Sequence, residues 1–129
     1  MQSGTAGGAG AAGWPRAGAG RARRDWSAAE VTQASLDRCA AWNGTLHAID
    51  LLSPTAMDDA RASDARAQRG ALRGPLDGVP VFAKSIYDMS GLPTTASNAE
   101  WTRLFPDALH RDAIEVARMR SAGAIVLGK

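Results

Sequence analysis

The chain has 129 residues, with 15 Lys and Arg against 13 Asp and Glu, one cysteine and 45% hydrophobic residues. That length allows one ordinary domain, and the lone cysteine excludes an intramolecular disulfide. No apolar run is long enough for a membrane span or a secretory core, so the expected location is cytoplasmic.

Residues 1–24 read as a separate region. They hold seven of the fourteen glycines, four arginines and no acidic residue, too little apolar surface to offset the entropy of ordering, so a disordered Gly/Ala/Arg-rich extension is predicted. Without it the charges are 11 basic against 13 acidic, so the overall basic balance belongs to the tail. The remainder, residues 25–129, gives no electrostatic sign of a nucleic-acid partner. Gly8-x-Gly10-x-x-Gly13 matches a dinucleotide fingerprint, yet no strand precedes it and Trp14-Pro15 stands where a helix would begin. A transit peptide, a basic arm and a plain solvated extension all fit the same composition.

From Trp26 onward the pattern is that of an α/β unit. Ser27-Ala28-Ala29-Glu30 is a capping box, and Ala28, Val31, Leu36, Cys39 and Trp42 fall on one arc of about 140° at 100° per residue. Asn43-Gly44 is the predicted stop, followed by an extended segment over Leu46 to Leu52. Ser53-Pro54 reads as N-cap and first residue of a second helix that reaches Gln68 or Arg69, with Gly70 past its end and a face made mostly of alanine. Asp58, Asp59 and Asp64 among Arg61 and Arg66 read as a solvated helix face. Val79 to Lys84 reads as a strand covered on both faces, and Ala124 to Leu127 as another. A helix from Asp112, with Glu115 completing a box, joins them, so the two strands should lie parallel through a crossover. The link from Ser85 to Arg111 is long for a loop. It either lines a site or contains short helices, for example near Ala99 to Leu104.

Lys84 is the candidate with chemistry. It ends an apolar strand, where ligands meet an α/β sheet, and an ammonium partly stripped of water there becomes available as a base. The alternative is a lysine whose stem lies on the sheet with its amine in water. Cys39 sits on an apolar arc and reads as a small hydrophobe. His47 and His110 lack partners at metal-ligand spacing, so neither metal nor cofactor is expected. Gly123-x4-Gly128-Lys129 literally fits a phosphate-binding loop, but its Ala-Ile-Val-Leu interior wants to be a strand, which argues against a nucleotide-binding module.

Gly74-Pro75-Leu76-Asp77-Gly78-Val79-Pro80-Val81-Phe82-Ala83-Lys84, Asp88, Gly91-Leu92-Pro93-Thr94-Thr95-Ala96-Ser97 and the run from Asp112 to Lys129 together resemble the amidase signature family. The resemblance runs from Trp26 to Lys129. It implies the N-terminal part of an amidase-signature fold, with helices packed on a mixed β-sheet. It also implies a Ser-cisSer-Lys triad that hydrolyses carbon-nitrogen bonds of amides, in which Lys84 matches the lysine. In the family both serines come later than any residue of this chain. Ser85, Ser90 and Ser97 lack glycine-rich surroundings and read as turn or loop hydroxyls, so the chain is expected to be a truncated fragment, inactive alone. Ser85 stands where family members commonly have Asp, which exchanges a charged acceptor for a neutral one. The implied partner is a small-molecule amide substrate. The A subunit of a glutamyl-tRNA amidotransferase and a non-catalytic amidase relic are the alternatives. With nothing after Lys129 to pair the last strand, its exposed edge is expected to drive oligomerisation or aggregation.

Overall fold

The computed structural model describes residues 26–107 and 110–129. The extension 1–24, with its fingerprint match, lies outside the described residues. The elements are α1 (Ala28–Leu46), α2 (Ala56–Gln68), β1 (Pro80–Phe82), α3 (Ala99–Leu104), α4 (Ile114–Ser121) and β2 (Ile125–Gly128).

The first orphan amides of α1 are satisfied twice over. Glu30 N–H donates to Ser27 Oγ at 3.0 Å and Ser27 N–H to Glu30 Oε2 at 2.7 Å, the box read from the sequence. The Asp64 carboxylate of α2 then accepts from Ala28 N at 2.7 Å and Ala29 N at 3.0 Å. Asp64 therefore caps a neighbouring helix and is no part of a solvated face; the i,i+3 pattern shows only partners on its own helix, and this one lies 36 residues away. Asp58 and Arg61 do form the exposed pair expected, at 3.0 Å. Asn43-Gly44 does not end α1. The helix continues to Leu46 and stops at His47, which takes left-handed backbone with φ 48°. Asn43 instead grips Ile49, accepting from its N–H at 2.8 Å and donating to its carbonyl at 2.9 Å, so it orders the chain after the helix. Of the apolar arc only Ala28 is buried: Val31, Leu36 and Cys39 are half-buried and Trp42 is 59% exposed.

Helix α2 begins two residues later than predicted. Thr55 is its N-cap, and Ser53-Pro54 form the preceding turn, with Ser53 Oγ accepting from Thr55 N at 3.4 Å. It ends at Gln68, and Gly70 follows with φ 68°, as read from the sequence. Its alanine face allows close approach: Ala56 and Ala60 pack with Ala28, Ile125 and Leu127 in one core cluster.

Strands β1 and β2 are parallel, pairing Pro80 with Ile125, Val81 with Val126 and Phe82 with Gly128. Leu127 is skipped by this register, and its carbonyl accepts from Ser53 N at 2.7 Å instead. Strand β2 is buried throughout. Ile125 and Leu127 meet the helical cluster, while Val126 packs with Ala83, Met89, Leu92 and Val116 on the other face. Fully burying such side chains stabilises by roughly 1.5–3 kcal/mol each. The expected free edge is already taken: Asp50 and Leu51 donate to the Lys129 carbonyl, Lys129 N–H donates to the Leu51 carbonyl, and Leu52 bridges Gly128 antiparallel. This overturns the ground for edge-driven aggregation and makes the sheet mixed. The predicted extended segment therefore exists only as residues 50–53, tied to β2. Strand β1 is shorter than the Val79–Lys84 run and is not covered on both faces, since Phe82 is 40% exposed.

Close approach of residues 51–52 to β2 depends on Gly128, whose φ is 152°; a Cβ there would collide with the Leu51 carbonyl oxygen and lie 2.9 Å from Leu52 Cα. Gly128→Ala is expected to destabilise the fold by about 2–4 kcal/mol, measured by chemical denaturation. An unchanged midpoint would show that the 50–53 segment moves away without loss.

The 85–111 link contains both features weighed for it. Met89 and Leu92 form a tight bridge, α3 covers Ala99–Leu104, and the same stretch lines a cavity. Helix α4 starts after Ala113 and lacks the Asp112 box, because Asp112 is drawn elsewhere: its carboxylate accepts from Ser90 N at 2.7 Å and faces Arg120 Nε at 3.2 Å.

Candidate functional site

Two parallel neighbouring strands bring their carboxyl ends to one edge of the sheet. Each is followed by a lysine: Phe82-Ala83-Lys84 after β1 and Leu127-Gly128-Lys129 at the end of β2, with Phe82 and Gly128 in register. Both lysines line a cavity of about 730 Å³ with His47, Asp50, Ser85, Thr95, Ser97, Asn98 and Thr102. This is where ligands collect in α/β folds.

Lys84 is exposed in this cavity, so the expected stripping of water from its ammonium is not what the described chain shows. Phe82, two residues earlier and also lining the cavity, is likewise exposed, at 40%. Lys129 is the opposite case. Only 4% exposed, its Nζ donates to the Pro93 carbonyl at 2.8 Å and to Thr94 Oγ1 at 3.3 Å. Burial pushes its pKa below the ordinary lysine value, while the carboxylates of Asp88 and Asp50 act to raise it.

The cavity wall between Thr94 and Asn98 is held by side chains. Thr94 Oγ1 donates to Asp88 Oδ1 at 2.9 Å, and the Thr95 hydroxyl donates to Asp50. Thr95 Oγ1 accepts from Ser97 N at 3.2 Å. Ala96 and Ser97 both adopt left-handed backbone, with φ 49° and 56°, which costs free energy for residues other than glycine. Ser85 Oγ and Ser97 Oγ lie 3.3 Å apart, and the Ser85 carbonyl accepts from Ala96 N at 3.2 Å. Thus Ser85 and Ser97 are turn hydroxyls, as read from the sequence, and the two turns meet inside the cavity. Ser90 lies apart, its N–H on Asp112.

His47 reaches the same cavity through the turn that ends α1. Among the described residues no group of three or more His, Cys, Asp or Glu is placed to hold a metal ion. The Gly123-to-Lys129 match to a phosphate loop is a buried strand, so its N–H groups serve the sheet and cannot cradle an anion. Lys129 itself escaped notice as a site residue. Two signals pointed to it: it ends an apolar strand just as Lys84 does, and these are the only lysines in the chain.

Residues 30–129 match the sequence profile of the family described as Amidase. The chain belongs to the amidase family. Among curated relatives, the A subunit of the glutamyl-tRNA(Gln) amidotransferase of Salinispora arenicola is 44% identical over 112 residues, covering 84% of this chain and 22% of the relative. Its counterpart in Anaeromyxobacter sp. strain K is 44% identical over 114 residues, covering 88% of this chain and 23% of the relative. Among solved structures, native peptide amidase from Stenotrophomonas maltophilia superposes with a TM-score of 0.85 at 32% identity, over 93% of this chain and 24% of that one. The chain therefore spans somewhat less than a quarter of the length of these relatives. No helix among its described residues is long and apolar enough to cross a membrane.

Proposed function

We propose that residues 25–129 are the N-terminal part of an amidase domain and that Lys84 is the proton-accepting member of its Ser-cisSer-Lys triad. The observation that carries this reading is the position of Lys84 at the carboxyl end of β1, in the cavity, within the 30–129 stretch that matches the family. The neutral amine takes the proton of the attacking serine through a bridging serine as that serine adds to the amide carbonyl, and the same proton is returned to the nitrogen, so that ammonia or an amine leaves on collapse of the tetrahedral adduct. Water then releases the acid by the same route. Neither serine is assigned to Ser85, Ser90 or Ser97, which have no glycine-rich loop of N–H donors about them to receive an oxyanion. The rest of the domain would close the cavity over Lys84 and cover the exposed Trp42, Leu46, Phe82 and Trp101.

Within the family, the higher identity to amidotransferase A subunits than to peptide amidase favours release of ammonia from an amide for transfer over hydrolysis of a free small amide. The test has two arms. Ammonia release from glutamine and from a panel of aliphatic and aryl amides is expected to be absent with the 129 residues alone. It is expected to be present when this sequence is continued by the remaining triad-bearing part of an amidase domain, and to be lost there on Lys84→Ala. Lysine-dependent turnover by the 129 residues alone would overturn the assignment of the serines.

A further inference from the structure

Thirteen of the fifteen cationic residues are arginines, and the two lysines share one cavity. Lysine is a compact charge with three donors, suited to a corner where neutral acceptors converge; the planar arginine fork suits carboxylates. Lys129 occupies such a corner. The Pro93 carbonyl and the Thr94 hydroxyl are its acceptors, and Thr94 passes its own proton on to Asp88, whose backbone carbonyl takes Ala113 N at 2.9 Å ahead of α4. The Lys129 backbone ties down the opposite wall: its carbonyl accepts from Asp50 N at 2.8 Å, and the Asp50 carboxylate takes the Thr95 hydroxyl. The Asp50 route ends on Thr95 itself, and the ammonium holds Pro93 and Thr94 directly before it; the left-handed Ala96-Ser97 pair that follows bonds Ser85, directly after Lys84.

We propose that Lys129 is a positioning residue for Lys84, its buried ammonium holding the Pro93–Thr94 turn so that the strained 95–97 wall keeps the shape that faces the Lys84 amine. The inference rests on Lys84 being the working base, but its test does not use turnover. A failure of the Lys84 assignment appears as unaffected kcat in Lys84→Ala, whereas a failure here appears in the wall itself. A buried ammonium with no carboxylate in direct contact is costly to keep. Its retention is explained if the charge has work to do through Pro93 and Thr94.

The experiment compares the full chain with Lys129→Met, which keeps length without charge, Lys129→Arg, which keeps the charge and donors, and Thr94→Val, which cuts the Asp88 arm. Amide hydrogen exchange is followed at Ala96 and Ser97 and, as a reference, within α1. Acylation of Lys84 by a small activated ester is followed by peptide mass spectrometry. Lys129→Met is expected to speed exchange at Ala96 and Ser97 by about tenfold, with α1 unchanged. It is also expected to move the Lys84 acylation rate by more than about threefold, within the coupling range of packed polar networks. Lys129→Arg is expected to keep both readouts closer to the parent chain than Lys129→Met does. The proposal is overturned if Lys129→Met moves neither the wall nor Lys84, if methionine preserves them as well as arginine, or if α1 loosens in step with the wall, which marks a merely structural lysine. Should Lys129→Met fail to fold, Thr94→Val decides: faster exchange at Ala96 and Ser97 with α1 intact supports the proposal, and unchanged exchange overturns it.

Discussion

Lys84→Ala, in the amidase continued beyond residue 129, is expected to lower kcat by at least about 10²–10⁴-fold, the range for losing a general base. The side chain is exposed at a strand end and holds no core contact, so folding should be little affected. Lys84→Arg separates charge from basicity. A guanidinium keeps the positive charge but cannot give up its proton in a protein, so arginine is not expected to rescue turnover. Steady-state ammonia release with circular dichroism on the same samples checks both points. Near-parental kcat in Lys84→Arg would mean that the cavity needs a cation and no free amine, and the triad assignment would fall.

Asp77→Ala is expected to cost about 3–5 kcal/mol, the usual effect of removing one partner from a buried ion pair. Asp77 is 2% exposed, in the turn that leads into β1. Its carboxylate accepts from Ser63 Oγ at 2.5 Å, from Arg66 Nε at 2.9 Å and Nη2 at 2.7 Å, and from Arg73 N at 2.9 Å. Arg66 is therefore the second residue of the supposed solvated face that turns inward. Gly123, with φ 89°, lets β2 approach this cluster; a Cβ there would lie 2.5 Å from Asp77 Cγ. In a domain of this size the loss corresponds to a fall in Tm of roughly 12 °C or more. Arg66→Met combined with Asp77→Leu is expected to recover most of it, since the penalty comes from stranding one charge and not from losing the pair. If the double variant is as unstable as Asp77→Ala, the cluster is needed for its geometry and not for charge compensation.

The same cluster sets a pH dependence. Burial by itself would raise the Asp77 pKa, but the hydrogen bonds from Arg66, Ser63 and Arg73 and the Arg66 charge win, and hold it at about 2. Against an unfolded value near 3.9 this amounts to about 2.5 kcal/mol. A depressed carboxyl pKa stabilises the fold above the unfolded value. That contribution is expected to fade as pH falls from about 4 through about 2. Urea midpoints taken across this window, with Asp77→Asn as the control, should show the parent chain losing stability while the variant curve stays flatter. Parallel curves would assign the acid sensitivity to other carboxylates.

Sequence alone determined the elements whose causes are local: the Ser27-Glu30 box, the alanine face of α2, the Gly70 stop, the apolar run of β2, and Lys84 at a strand end. Capping, helical period and β-branching act over a few residues, so they are legible without coordinates. The family, too, was legible in the run from Gly74 to Lys129. Tertiary structure decided whatever depends on a partner far along the chain. Asp64 and Arg66 have helix-surface spacing but serve Ala28 and Asp77, and Asn43 beside Gly44 looks like a stop yet holds Ile49. Segment 50–53 pairs with β2 only because Gly128 leaves room for it. The meeting of Lys84 and Lys129 was decided the same way, since lysines 45 positions apart become neighbours of one cavity only when two parallel strands end at the same edge. The parallel crossover itself was legible in the strand–helix–strand order, but the register that sets Phe82 against Gly128, and with it the shared cavity, is not recorded in residue spacing.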